Sequence, residues 1–170
     1  MLNLKDTVLY GTTGVCTVES IEEKKIGKVT RQYYVLKPVN QAASTVFVPA
    51  DNENLLSKVR QLLSPEEIKS IIHSLPKEPD IWFNDDGERK VKYNEIIASG
   101  DRKACLKLIR TLHNRQKELS LSGKRLHIAD EKALKEAQRL IHDEFACSLN
   151  IGIDEVVEFI SCEIKSVQTV

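Results

Sequence analysis

The chain has 170 residues, with 25 Lys and Arg against 25 Asp and Glu, so its formal net charge is zero. That length allows one domain of ordinary size or two small ones, and the charge balance excludes a uniformly basic protein that coats nucleic acid without selectivity. An apolar fraction of 41% with 29% charged residues excludes disorder along the whole chain. The first residues carry Lys5 and Asp6 and no apolar run of signal-peptide length, and no stretch approaches a membrane span. A cytoplasmic protein that touches no membrane is therefore expected. Cys16, Cys105, Cys147 and Cys162 are scattered, as are His73, His113, His127 and His142. Neither a disulfide framework nor a metal site is expected from such spacing.

The first fifty residues read as strands. Thr7 to Tyr10 is a short β-rich run, followed by the turn Gly11-Thr12-Thr13-Gly14. Val15 to Ile21 continues it, and Lys24 to Lys28, polar with one glycine, suits a hairpin. Val29 to Lys37 is a longer strand closed by Pro38. Asn40 to Ala43 turns the chain, and Thr45 to Val48 is a last strand stopped by Pro49. Four or five short strands with tight turns predict a small SH3-like or Tudor-like β-barrel module.

The period then changes. Leu55, Leu56, Val59, Leu62 and Leu63 fall at helical spacing, which predicts a helix within 52–63. Ser64-Pro65-Glu66-Glu67 is a helix start: a capping hydroxyl, a proline at the first position and two acids at the positive end of the dipole. Ile68, Ile71, Ile72 and Leu75 follow on one face, and Pro76 and Pro79 end the element. Further helices are predicted over 88–98, over 102–119 after an Asp101 cap, from Asp130 to Cys147, and from Ile153 to Ile164. The fold class is α+β: a β module over 1–52, a helical linker region over 53–80 and an all-helical domain over 81–170.

The segment 102–117 holds Arg102, Lys103, Lys107, Arg110, Arg115 and Lys117 and no acid. At 100° per residue, Lys103, Lys107, Arg110, Asn114 and Lys117 form one stripe, and Cys105, Leu108, Ile109, Leu112 and Leu119 the opposite one. The apolar stripe must pack. The basic stripe faces either a polyanion, where residues one turn apart meet successive phosphates, or acidic side chains of the protein itself. Residues 151–170, with Asp154, Glu155, Glu158 and Glu163 against Lys165, are the natural source of those acids. Trp82 is the only tryptophan. It is either a core anchor or an apolar wedge for a base step. Asp85 and Asp86 suit a turn and a helix start better than acid–base chemistry. No nucleophile and base pair and no phosphate-cradling glycine motif is present, so no catalytic residue, cofactor or small-molecule substrate is expected.

The run from Val8 to Ile21, with Tyr33-Tyr34-Val35-Leu36 and Val46 to Asn52, resembles the β module of the CarD family of bacterial transcription regulators. Ala98-Ser99-Gly100-Asp101, Leu112-His113-Asn114-Arg115 and Asp130 to Leu134 resemble its helical domain. The similarity covers about residues 3 to 160. It implies a β module, related to one in the transcription-repair coupling factor, that binds the β subunit of RNA polymerase. It also implies a helical domain that meets promoter DNA at the upstream edge of the bubble, largely without reading sequence, wedges a Trp into the minor groove and stabilises the open complex. Carried over residue by residue, the polymerase contacts fall on Lys24, Lys25, Val46, Phe47 and Pro49, with Phe47 apolar where some members have Arg. The DNA contacts fall on Trp82, Arg89, Lys90, Lys103, Lys107, Arg110, Asn114 and Lys117. After Trp82 this chain inserts Asn84 to Glu88 where some members run directly into basic residues. The resemblance implies no enzyme activity, and a monomer is expected. A protein-only adaptor, its β module on one partner and its acidic end on another, is the alternative.

Overall fold

Two side-chain periods build two separate units. The computed structural model describes residues 2–41 and 43–168, and the chain divides between Leu62 and Leu63.

The first unit follows from alternation of β-branched and aromatic residues. Strands β1 (Thr7–Tyr10), β2 (Gly14–Ile26), β3 (Val29–Pro38) and β4 (Val46–Pro49) and the short β5 (Val59–Arg60) form one antiparallel sheet in the order β4-β3-β2-β1-β5. Ile26 pairs with Val29, so Gly27 and Lys28 alone make the hairpin loop. Gly27 has φ +65°, which a side chain would resist. A register shift between Val18 and Ser20 bends β2. Val8, Cys16, Val18, Tyr34, Leu36 and Val48 are the buried core.

The helix expected within 52–63 is a correction. Only one turn forms, α1 (Glu53–Leu56), capped by Asn52. The chain then re-enters the sheet: Val59 pairs with Tyr10 and Arg60 with Leu9. Leu55, Leu56 and Val59 do pack on the β core, so the apolar spacing is real. The open edge of β1 takes the backbone that periodicity alone assigns to a helix. The β unit therefore extends past residue 52, to Leu62.

The second unit opens at α2 (Pro65–Ser74). Ser64 accepts from the Glu67 amide at 3.2 Å, and Glu67 accepts from the Ser64 amide at 2.7 Å, a reciprocal capping box. A 3₁₀ turn over Leu75–Lys77 ends it. Asp85 caps α3 (Asp86–Ser99), and Gly100 ends that helix in the left-handed conformation, φ +66°. Asp101 caps α4 (Arg102–Leu121) by accepting from the Ala104 amide at 3.0 Å. Then come α5 (Ile128–Leu149) and α6 (Val156–Gln168). Cys105, Leu108, Ile109 and Leu112 of α4 are buried with Ala133, Leu134, Ala137, Leu140, Ile141 and Phe145 of α5, and Leu119 packs against them half-buried. The capping residues and the apolar stripe stand where the sequence puts them; α3, α4 and α5 are a few residues longer than expected, whereas the last helix, expected over Ile153–Ile164, is displaced to Val156–Gln168.

Glu144, 1% exposed, ties the start of this unit together. It accepts from Arg102 at 3.0 Å through both oxygens and from the Leu63 amide at 3.0 Å. Among the described residues, no helix is long and apolar enough to cross a membrane.

Candidate functional site

On the β unit, β4 is an edge strand, and an edge leaves backbone donors and acceptors open to another chain. Alternation divides its side chains. Val46 and Val48 stand opposite Leu36 and Tyr34, on the core face. Phe47 and Pro49 stand opposite Val35 and Tyr33, on the other face. Phe47 is 43% exposed. The Lys24 ammonium lies 3.4 Å from the centroid of its ring and 3.7 Å from the Glu22 carboxylate. Lys24 pairs with Arg31 and Lys25 with Thr30, so these two lysines point to opposite faces. The structure thus brings Lys24, Phe47 and Pro49 to one face. Val46 turns inward, and Lys25 is exposed on the far face.

On the helical unit, the basic stripe of α4 already has its acids from Lys103 to Asn114. Lys103 and Lys107 reach the two carboxylate oxygens of Glu78 at 2.7 and 3.1 Å. Arg110 binds the Asp80 carboxylate at 2.9 Å and donates to the carbonyls of Leu75 and Glu78, and Asn114 approaches Asp80 at 3.5 Å. Hydrogen bonds from Lys103 and Lys107 hold the Glu78 carboxyl below its ordinary pKa. The segment 75–80 is a strap along the stripe. The source of these acids is also a correction: Glu163 of the C-terminal segment meets His73 at 2.7 Å and Lys69 at 3.9 Å on α2, not α4.

Arg89 is not available to a phosphate either. It is 4% exposed. Its Nε and Nη2 donate to the two oxygens of the buried Asp130 at 2.9 Å each, Nη2 donates to Asp86 at 2.6 Å, and Nη1 donates to the Phe83 carbonyl at 2.9 Å. The bonds to Asp130 and Asp86 raise its already high pKa against the opposing cost of burial. The position is legible in retrospect: Arg89, Tyr93 and Ile97 are spaced by four, and they are the buried face of α3. The acidic insertion after Trp82 also finds its use, since Asp85 caps α3 and Asp86 pairs with Arg89.

Trp82 is half-buried against the helical core. The guanidinium carbon of Arg89 lies 4.5 Å from its ring centroid and that of Arg115 lies 4.8 Å away, both within cation–π range. Arg115 is 43% exposed along its side chain and donates to Glu118 at 2.9 Å. Its Nε is buried without a partner. A depression beside the ring is walled by Arg115, Leu119, Arg125, His127 and Ile128 and floored by the Arg89–Asp130 pair. Lys124 lines the neighbouring depression with Arg125. Lys90 and Lys117 are exposed. Beside Arg89, the arginines around the tryptophan are therefore Arg115 and Arg125, with His127 on the same wall and Lys124 in the neighbouring depression, and none of these four lies on the α4 stripe. The visible signal for them was Lys124-Arg125, adjacent in the loop before α5.

Two domain families match the chain. Residues 2–60 match the CarD-like/TRCF RID domain, and residues 70–161 match the CarD C-terminal domain. The first is an RNA polymerase β-interacting module, the second covers the helical unit, and together they describe a transcription-related, polymerase-interacting regulator. The family is one of non-enzymatic regulators. With the β module and the helical domain in family order and both matched along nearly their whole length, the chain belongs to the CarD family.

Proposed function

We propose that this protein tethers itself to the polymerase β subunit through the exposed edge of β4 and its Phe47 face, and from there applies the Trp82 region to promoter DNA at the upstream edge of the bubble. An edge strand offers main-chain pairing to a partner strand. Phe47, with Lys24 stacked on it, supplies an amphipathic contact beside that edge. The DNA contact is weak alone and gains from the tether, because linkage turns the second binding event into an intramolecular one. The complex favours open DNA by its differential affinity; about 1.4 kcal/mol of preference gives roughly tenfold more open complex.

The observation that carries this reading is Trp82. A half-buried indole under two guanidiniums, beside a depression walled by Arg115 and Arg125, has the parts of a minor-groove wedge: an apolar plane and guanidinium cations for the flanking phosphates. Lys90, Lys117 and Lys124 extend the cationic surface. Lys103, Lys107, Arg110 and Asn114 stand behind their own strap, and we assign them to holding it.

The neutralised stripe is the observation that favours a protein-only adaptor. The test is the lifetime of the open complex on a linear ribosomal-type promoter, with bacterial holoenzyme, with and without the protein. A lengthened lifetime that Trp82→Ala shortens supports the wedge. A lengthened lifetime indifferent to Trp82 leaves the tether and returns Trp82 to packing. No change in lifetime, with no retention on the polymerase, removes the transcription reading.

A further inference from the structure

A small helical core holds a buried arginine, and the wedge reading gives that arginine no phosphate to touch. A buried ion pair is weak evidence for stability, since desolvation can exceed the attraction; its best-attested use is to specify a geometry. The geometry that Arg89 specifies is that of Trp82. We propose that Arg89, locked by Asp130, is a positioning residue for the Trp82 ring, a role that rests on the wedge reading of that ring.

The backbone on both sides of Trp82 is pinned. The Ile81 amide donates to Thr111 Oγ1 at 2.9 Å, and Tyr93 Oη donates to the Ile81 carbonyl at 3.1 Å. Arg89 Nη1 holds the Phe83 carbonyl. The indole itself is free to turn about two torsions unless something fixes its face. Two guanidiniums lie over it, and they differ. Arg115 is half-exposed, with a single carboxylate partner one turn along its own helix. Arg89 has a side chain only 5% exposed, and its plane is set by the two-oxygen grip of Asp130, which belongs to α5. A planar cation held in that way fixes the plane of an aromatic stacked on it, which lysine cannot do. Arg89 thus carries the register of α5 to the ring on the α2–α3 connection, and the wedge arrives at DNA already oriented. Ordering such a side chain only on binding would cost affinity.

The test uses the full-length protein, in which Trp82 is the only tryptophan. Arg89→Lys keeps the charge opposite Asp130 but loses the plane. We expect greater acrylamide quenching of Trp82 fluorescence with far-UV helicity intact. The open-complex lifetime should fall roughly 2- to 10-fold, the range for ordering one free side chain. In the Trp82→Ala background the same substitution should cost nothing further. A merely structural effect, or direct DNA contact by Arg89, would cost the same in both backgrounds and overturns the proposal, as does quenching that Arg89→Lys leaves unchanged. Failure of the wedge reading has another signature: Trp82→Ala alone leaves the lifetime unchanged, and the positioning claim is then decided by quenching. If Arg89→Lys loses helicity, Asp130→Asn, which keeps the side-chain shape, is read by the same criteria.

Discussion

His113 and His142 are two imidazoles on facing helices whose charge the fold opposes. Burial lowers the pKa of each below the ordinary histidine value of 6.5. Lys117 adds to the effect on His113, which hydrogen-bonds Gln138 at 2.8 Å, while Gln116 acts against it. For His142, Asp143 opposes the effect of burial, and His113 adds a smaller lowering. Because both groups hold protons less well folded than unfolded, the unfolded chain takes up more protons as pH falls through about 6.5. Their contribution to stability is full above that range and is lost on acidification through it. Melting temperature should therefore decline from neutral pH toward pH 5, and His142→Gln should flatten the slope. An unchanged slope in that variant would place the titration elsewhere. At this scale the sequence was a partial guide. Caps at Ser64, Asp85 and Asp101 are local and legible, because a short polar side chain and the amide it serves lie within three residues. The partners of His113, Arg89 and Glu144 lie 25, 41 and 42 residues away, and no local rule connects them.

The strap over 75–80 shows what a helical wheel can and cannot say. The wheel puts Lys103, Lys107 and Arg110 on one face, and they are on one face. It does not say that Glu78 and Asp80 will lie against them, because a short segment interrupted by Pro76 and Pro79 has no period to read. The same blindness explains β5: Val59 continues an apolar spacing that begins in a helical turn, while its backbone answers the open edge of β1. A physical consequence separates the strap from a DNA-binding face. Lys107→Glu sets two acids against each other on adjacent elements, so it should lower the melting temperature, and Glu78→Lys in the same chain should restore most of the loss. If Lys107 instead met phosphate, the double variant would stay as deficient in open-complex lifetime as the single one. Restored lifetime together with restored stability is the expected result.

For the whole molecule, zero net charge means that the proposed DNA contact would have to come from a local surface brought there by the proposed tether. The two contributions have different signatures. Counterion release makes log affinity fall with log salt by about 0.9 for each phosphate neutralised. Replacing Lys124 and Arg125 together by Ala should therefore reduce the salt slope of the protein's effect on open-complex lifetime by about two. The loss should be uniform across promoters, because phosphate contacts carry no sequence information. Phe47→Asp acts on the other side. It places a charge on the exposed face of the β4 edge, which should remove retention on the polymerase at every salt concentration. With the tether gone, the DNA contact falls from its linked effective concentration to its own weak affinity, so protein in excess of polymerase should recover only a small part of the lifetime. A protein-only adaptor differs in one arm: the Phe47 variant fails there too, but the Lys124 and Arg125 variant keeps both its lifetime effect and its salt slope. The comparison of these two variants against salt thus decides whether the cations beside Trp82 meet a phosphate backbone or only solvent.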